Sequence, residues 1–344
     1  MDGKRAFKGE KHMREYLLKR ILVSIFILWV VASLNFVIFQ VVSPISPEDM
    51  YAPVSLDVDP KTLELLRELY GLNQPLHLRY LKYIRNMFTF DFGISFISRE
   101  PVVAEMATRL PATVLLLGSA MVATILVGIP LGIFAASRRG SKIDVATIGA
   151  GLFTWGVPVF YIQLLFMLFF CYYSQVFWGI QIFPTRGIYS IPPSENPLMF
   201  MSDVAWHLAQ PVITLVVGGF GSWALYTRNV LLDALTQDYI VTARAKGLSE
   251  RTVLYRHAFR STLPPIVTII ALSVPGIIMG AMITEFIFTV PGIGRWYLDS
   301  LTGADYPVVQ SVLFVYAILT VFCNLIADLL YGVLDPRIRV GMRR

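Results

Sequence analysis

The stretch DYIVTARAKGLSERTVLYRHAFRSTLPP, residues 238–265, is a polar segment between two apolar segments that are each long enough to cross a bilayer. It carries five basic residues: Arg244, Lys246, Arg251, Arg256 and Arg260. Basic residues collect in the cytoplasmic loops of membrane proteins. The side of the membrane on which this stretch lies therefore decides between alternative topologies of the whole chain.

The composition indicates a membrane protein. Of the 344 residues, 56% are hydrophobic and only 15% are charged, and the mean hydropathy is +0.63. A soluble domain usually carries about 25% charged residues. A hydrocarbon core of about 30 Å needs roughly 20 helical residues. Six segments without Asp, Glu, Lys or Arg reach that length: Ile21–Val42, Pro111–Ser137, Val145–Thr185, Val204–Thr227, Ser261–Thr284 and Tyr306–Ala327.

The segment Val145–Thr185 is long enough for two spans, or for one span followed by an aromatic surface segment. With six spans and the N terminus inside, 20 of the 29 basic residues lie on the inner side. Splitting this segment would move the 238–265 stretch to the outer side, against the usual charge bias. We therefore predict an all-α polytopic protein of the cell membrane, with six spans and both termini in the cytoplasm. The net charge of +6 is then mainly an orientation signal, and no nucleic-acid partner is expected.

The predicted spans divide the chain into regions. Between the first two spans we expect a small extracytoplasmic insertion, in which Asp59 caps a helix that begins at Pro60 and ends before Gly71. A second amphipathic helix is predicted within residues 74–88, with Leu76, Tyr80, Leu81, Ile84 and Phe88 on one side. The sequence does not decide whether this insertion stabilises the helical bundle or contacts a partner protein. The predicted regions are a tail (1–20), a retained first span (21–42), the insertion (43–110), a core of five spans (111–334) with a polar loop at 238–263, and a second tail (335–344).

Common catalytic and metal-binding patterns are absent from the sequence. It has no G-x-x-x-x-G-K-[ST] phosphate loop, no H-E-x-x-H and no G-x-S-x-G motif. Cys171 and Cys323 fall in apolar segments, and the four histidines have no ligand spacing, so no disulfide, metal site or catalytic residue is expected. Only Glu285 and Asp328 are ionisable candidates within the spans, and both lie near span ends. This weakens the alternative of a self-powered carrier.

The 238–265 stretch has the signals of two helices joined by a turn. Gly247 ends a polar helix, Ser249 can cap the next one, and Glu250 suits the positive end of that helix. The second helix places Val253, Leu254, His257 and Ala258 on one side. We expect Leu263–Pro265 to stop this helix and to start the next span. An interfacial helix that lies on lipid headgroups has the same pattern.

The same stretch resembles the coupling loop in permease subunits of ATP-binding-cassette importers. TARAKGLSER (242–251) resembles the dipeptide and oligopeptide branch, which also includes importers of nickel and of some oligosaccharides. The family's initial Glu-Ala-Ala glutamate is replaced by Val241, so no salt bridge from that glutamate is expected. Further blocks resemble the branch, so the likeness covers residues 14–339: RLPATVLLLGSA (109–120), TEFIFTVPGIGRW (284–296), ADYPVVQ (304–310) and NLIADLLYGVLDPRIR (324–339).

The resemblance implies a transport subunit for di- or oligopeptides, with oligosaccharides as the alternative substrate. Two ATPase subunits would hold ATP and Mg and push on the loop, and this chain would bind no cofactor. A second permease subunit of a different chain would complete the pathway in the lipid membrane, and an extracytoplasmic binding protein would deliver the substrate. We call residues 238–263 the coupling segment. The residues expected to couple to the ATPase are Ala243, Arg244, Ala245, Lys246, Gly247, Leu248, Ser249, Glu250, Arg251, Leu254 and His257.

A second set of residues is expected near the translocation pathway. Pro275, Gly276 and Gly280 lie in the middle of the predicted fifth span, where they permit a bend or close helix packing. Glu285, with Pro291 and Gly292, is predicted to form a gate at the outer mouth. The alternative for Glu285 is a buried carboxylate bonded to backbone amides of the turn at 291–294.

Two other functions remain open on the sequence. A self-contained carrier or channel would transport without an ATPase. A membrane-bound sensor or scaffold would bind the same partners without a pathway. The coupling segment, together with the missing phosphate loop, favours the importer subunit over both.

Overall fold

The computed structural model describes residues 2–42, 73–192, 196–274 and 282–334. Throughout these residues the regular secondary structure is helical, apart from an isolated bridge between Ile94 and Pro101. The helices are α1 (Asp2–Phe36), continued by a π-helical turn (Val37–Val42); α2 (Leu76–Phe88); α3 (Val102–Ser137); α4 (Lys142–Gly156); α5 (Val159–Met167), continued by a π-helical turn (Leu168–Tyr173) into α6 (Ser174–Trp178); α7 (Pro197–Leu235); α8 (Asp238–Ala245); α9 (Glu250–Thr252), continued by a π-helical turn (Val253–Phe259) into α10 (Arg260–Ser273); α11 (Met282–Ile287); α12 (Ile293–Thr302); and α13 (Tyr306–Leu334).

Several of these helices have the length and composition of membrane spans. In lipid, a helix satisfies its own backbone hydrogen bonds, which is why apolar segments of this length become helical. The predicted all-α membrane architecture is confirmed. The predicted fifth span, Ser261–Thr284, is described only at its two ends, so the count of six stays a prediction. Among the described residues, five candidate spans are present: Leu18–Val42, Val102–Ser137, Val159–Trp178, Pro197–Leu235 and Tyr306–Asp328.

The long uncharged segment Val145–Thr185 contains a break. α4 ends at Gly156, and Val157 is extended, with φ −93° and ψ 121°. The α conformation is disfavoured in a residue that precedes a proline, and Pro158 follows here. The segment therefore holds the short helix α4 and one candidate span of 20 residues, Val159–Trp178. The aromatic surface segment expected after the span, residues 172–187, lies partly within it: Tyr172, Tyr173, Phe177 and Trp178 belong to the span, because α4 takes up the first part of the long segment.

The described residues form two compact units, and the first contains the chain up to residue 108 together with residues 297–325. In this unit α2 packs on α1. Tyr80 and Ser33 share a hydrogen bond of 2.8 Å between their hydroxyls, and the Phe36 ring contacts the Tyr80 and Tyr83 rings at 5.3 and 5.5 Å between centroids. Arg79 donates to Gln40 at 2.8 Å. The second predicted helix of the insertion is thus confirmed.

The buried face of α2 matches the prediction in part. Tyr80 and Ile84 are half-buried as predicted, but Leu76, Leu81 and Phe88 are exposed. Met87 is buried and Tyr83 is half-buried, although neither was predicted to face inward. Tyr80 finds both a ring contact and a hydroxyl partner on α1, and Tyr83 finds a ring contact there, which an aliphatic side chain cannot match. The first predicted helix of the insertion, between Asp59 and Gly71, lies outside the described residues.

The second unit contains residues 109–296 and the chain from 326 onward. Its core includes two buried hydrophobic clusters. One involves Leu116 of α3 and Phe288, and the other involves Ile133 of α3. Since 17 helical residues separate Leu116 from Ile133, the clusters lie about 25 Å apart along α3. The two clusters therefore lie at different levels along α3.

Candidate functional site

The coupling segment begins with a helix, a turn and a capped second helix. Gly247 has φ +75°, in the left-handed region that favours glycine, and its N–H donates to the Arg244 carbonyl at 2.9 Å. The Ser249 hydroxyl accepts the N–H of Thr252 at 3.4 Å, as an N-cap does. Glu250 lies in the first turn of the second helix. These three predictions are confirmed.

An ion pair closes the turn around Gly247. Arg244 donates from Nε to one Glu250 oxygen at 2.8 Å and from a terminal nitrogen to the other at 3.1 Å. This two-pronged hydrogen bond holds the pKa of the Glu250 carboxyl below its usual value. Because both side chains are exposed, the pair contributes little to stability. Its consequence is a defined shape for the exposed turn.

The second helix does not end where the sequence predicted. The chain is helical without interruption from Glu250 to Ser273, with Pro264 and Pro265 inside α10. The expectation that Leu263–Pro265 stops the helix is therefore wrong. In the α register of α10, Pro264 and Pro265 supply no N–H to the carbonyls of Arg260 and Ser261. Beside them, the Thr262 hydroxyl donates to the Phe259 carbonyl at 2.8 Å.

Buried side chains fix the coupling segment to its own bundle, and we call them the anchor cluster. From the segment come Ile240, Ala243, Val253, Leu254 and Ala258. The predicted inward face is thus confirmed for Val253, Leu254 and Ala258, whereas His257 is only half-buried and lies outside the cluster. The remaining members are Ile133 and Ala136 of α3 and Leu231 and Ala234 of α7.

The burial of the predicted coupling residues separates them into two groups. The residues from Arg244 to Arg251 are all exposed and form a continuous surface around the turn. Ala243 and Leu254, at 5% and 9% exposure, pack inside the anchor cluster, so they support that surface from within. The exposed surface, residues 244–251, is what the segment presents to a partner.

Two further residues extend this surface and were missed in the sequence. Tyr255 is 50% exposed, and Arg256 is also exposed. Together with Arg251 and Thr252 they line a shallow recess beside the turn. The i, i+4 spacing of Arg251 and Tyr255 was the available signal, because residues four apart share a helix face.

Glu285, predicted at the outer mouth, is fully buried. Its carboxylate accepts the Thr113 hydroxyl at 2.7 Å and the Arg295 N–H at 2.9 Å. A Cβ at Gly292 would overlap the carboxylate, so glycine is required for this approach. These contacts match the alternative in which Glu285 bonds to backbone amides of the adjacent turn, and the gate role stays a prediction.

Of the other residues predicted near the pathway, the structure describes only Pro291 and Gly292. Pro291 is exposed, next to the buried Gly292. Pro275, Gly276 and Gly280 lie outside the described residues. Within the described ranges, no group of three His, Cys, Asp or Glu side chains could hold a metal ion.

The fold and the site define a polytopic helical membrane protein that holds a polar, basic segment rigidly on its own bundle. Residues 128–340 match the family described as the binding-protein-dependent transport system inner membrane component. Residues 13–117 match the N-terminal component of the same membrane proteins. The chain belongs to this family, in agreement with the resemblance in the sequence, and it is a permease component of the cell membrane.

Named relatives cover most of the chain. It is 37% identical over 331 residues to the oligopeptide transport system permease protein AppB of Bacillus subtilis (strain 168), which covers 95% of this chain and 99% of that protein. It is 38% identical over 293 residues to the dipeptide transport system permease protein DppB of Escherichia coli (strain K12), covering 80% and 84% of the two chains. A di/tripeptide permease protein DppB of Pseudomonas aeruginosa (strain UCBPP-PA14) is 35% identical over 297 residues, covering 82% and 86%.

Proposed function

We propose that this chain forms part of the pathway through which an ATP-driven importer takes up di- and oligopeptides. The three relatives described above carry peptide transport in their names, and none of those three names mentions an oligosaccharide. The sequence lacks a phosphate loop, so ATP and Mg would be held by partner ATPase subunits. The chain itself would bind no cofactor and catalyse no reaction.

The topology proposed for this role has six spans, with both termini and the coupling segment in the cytoplasm. The distribution of basic residues supports this orientation. The insertion at 43–110 then lies on the outer side, where an extracytoplasmic binding protein arrives with substrate. A second, different permease chain would complete the pathway within the lipid bilayer.

The proposed coupling mechanism rests on how the coupling segment is held. The exposed turn at 244–251 would dock on an ATPase subunit, and the recess beside Tyr255 would widen the contact. Val253 and Ala258 are both 0% exposed and pack against α3 and α7. A displacement of the turn would therefore move these two long helices, since close-packed interiors transmit strain. This combination of an exposed turn and a buried base is the observation that carries the proposal.

Reconstitution tests this function. The chain would be co-expressed with the ATPase, second permease and binding-protein subunits of a peptide importer, and the purified assembly would be placed in liposomes. We expect uptake of a radiolabelled dipeptide or oligopeptide that depends on ATP and on the binding protein. Uptake by the chain alone would instead identify a self-contained carrier. Assembly without uptake of any peptide or oligosaccharide would support a sensor or scaffold.

A further inference from the structure

A buried ion pair joins α4 to α7 outside the coupling segment. Arg228 of α7 donates from Nε to one oxygen of Asp144 at 2.5 Å and from a terminal nitrogen to the other at 2.8 Å. The Asp144 side chain is 3% exposed and the Arg228 side chain 14%. This bidentate geometry fixes both the distance and the relative orientation of the two helices.

Asp144 is itself held in place at the start of α4. Its second oxygen accepts the N–H of Gly140 at 2.9 Å, and its own N–H donates to the Ser141 hydroxyl at 3.3 Å. A carboxylate in the first turn of a helix is also favoured by the positive end of the helix dipole. Arg228 therefore meets an acceptor that has little freedom to move away.

The ion pair lies next to the base of the coupling segment. Arg228 precedes Leu231 by three residues, which is about one helical turn, and Leu231 is a fully buried member of the anchor cluster. The coupling segment thus contacts α7 directly beside the residue that binds α4. Any tilt of α7 that starts at the anchor cluster must either carry α4 along or break the ion pair.

Close backbone packing extends this connection along α7. A Cβ at Gly221 would overlap the Gly151 backbone of α4, and one at Gly132 of α3 would lie 2.7 Å from the Thr227 Cβ. Small residues at such contacts let membrane helices approach closely. The three helices α3, α4 and α7 therefore pack as one body in this part of the chain.

A buried ion pair is by itself weak evidence of added stability. Burying an ion pair costs desolvation energy, and replacing such a pair with apolar side chains is often neutral or stabilising. An apolar contact would hold the two helices together as well, but a buried bidentate pair also fixes their relative position.

We propose that Asp144 and Arg228 are positioning residues that clamp α4 to α7, so that movement of the coupling segment is transmitted to α4 as well as to α3 and α7. This inference rests on the proposed function as an ATP-driven importer subunit. Neither residue contacts substrate in this account. Their effect is on how much transport each hydrolysed ATP yields.

The test uses the complete importer in liposomes, with peptide uptake and ATP hydrolysis measured in the same sample. The double variant D144N/R228M removes both charges, keeps an acceptor for the Gly140 N–H and fills the space of the arginine stem with an apolar chain. We expect it to assemble with the ATPase subunits and to hydrolyse ATP at the basal rate. We expect peptide taken up per ATP to fall by at least about fivefold, the lower end of typical coupling between sites.

Two variants complete the design. Arg228→Lys keeps the charge but loses the bidentate geometry, and we expect uptake per ATP between that of the wild type and that of the double variant. Asp233→Asn removes an exposed carboxylate on the same helix, and it should leave uptake per ATP unchanged.

The outcomes separate the clamp from the function on which it rests. An uptake per ATP that is unchanged in D144N/R228M would overturn the clamp, because the pair would then be purely structural. A double variant that fails to assemble would be followed by Arg228→Lys, which must lower the ratio for the clamp to stand. If the wild-type assembly shows no ATP-dependent uptake, the proposed function itself is refuted.

Discussion

The turn at Gly247 offers a sharp test of the coupling segment, because its substitution introduces backbone strain without a clash. Gly247 has φ +75°, and a Cβ added there would meet no heavy atom within 4 Å. The cost of Gly247→Ala is therefore the left-handed backbone alone, about 1–2 kcal/mol. That energy lowers the equilibrium constant for forming the docking-competent turn by about 5- to 30-fold. Apparent affinity for the ATPase subunits should fall by up to the same factor.

The assay is co-purification of the ATPase subunits at graded concentrations, together with peptide uptake by the reconstituted importer. Gly179→Ala is the matched control, because Gly179 has φ +65° and equally open surroundings outside the coupling segment. Gly247→Asn should recover part of the affinity, since asparagine tolerates the left-handed region. Gly247→Asp also adds a negative charge to the exposed basic turn, so it should insert into the membrane normally but support no ATP-driven uptake. Wild-type ATPase binding and uptake by both the alanine and the aspartate variants would refute the role of the turn.

Three further predictions follow from the described contacts. Glu285→Gln should lower the free energy of unfolding by about 1–3 kcal/mol, because the amide N–H₂ would face the Thr113 hydroxyl or the Arg295 N–H, which both donate. The KM for substrate should stay unchanged, and a changed KM in uptake assays would instead support the gate. The hydrogen bond from Arg228 lowers the pKa of Asp144 to about 2, against roughly 4 for an aspartate in the unfolded chain. The ionised carboxylate therefore contributes its full stabilisation of the folded protein above about pH 4, and this contribution is lost as the pH falls toward about 2. The difference in melting temperature between the wild type and Asp144→Asn should shrink over that range, and a constant difference would contradict the assignment. Ser249→Ala should destabilise the start of α9 by about 1 kcal/mol and increase amide hydrogen exchange at Thr252, and unchanged exchange would show that the cap is not needed.

Local signals in the sequence predicted the local features of the coupling segment correctly. Glycine at 247 and serine at 249 act through their own backbone and through neighbours three residues away, so the turn and the cap can be read without tertiary contacts. The apolar spacing of Val253, Leu254 and Ala258 likewise indicated which face is buried. The bidentate pair across the turn was not predicted, because Arg244 and Glu250 are brought together only by the bend at Gly247.

The sequence-based predictions were wrong or incomplete where contacts with residues far away in the chain determine the structure, or where a helix tolerates a residue that normally ends it. The prolines at 264 and 265 normally interrupt a helix, but here the helix continues through them to Ser273. The inward position of Tyr83 on α2 was missed because its partner, Phe36, lies on another helix and no local pattern reveals it. For the same reason the pairing of Asp144 with Arg228, 84 residues apart, could not be seen in the sequence.

Site-directed cross-linking tests the central claim most directly. A photoreactive phenylalanine analogue at position 255 would lie in the recess of the coupling segment, and one at exposed Leu81 on α2 would serve as the control. In intact cells that express the whole importer, we predict a cross-link from position 255 to an ATPase subunit and none from position 81. Absence of the first cross-link, together with labelling of residues 244–251 by an impermeant reagent added outside the cell, would contradict the account.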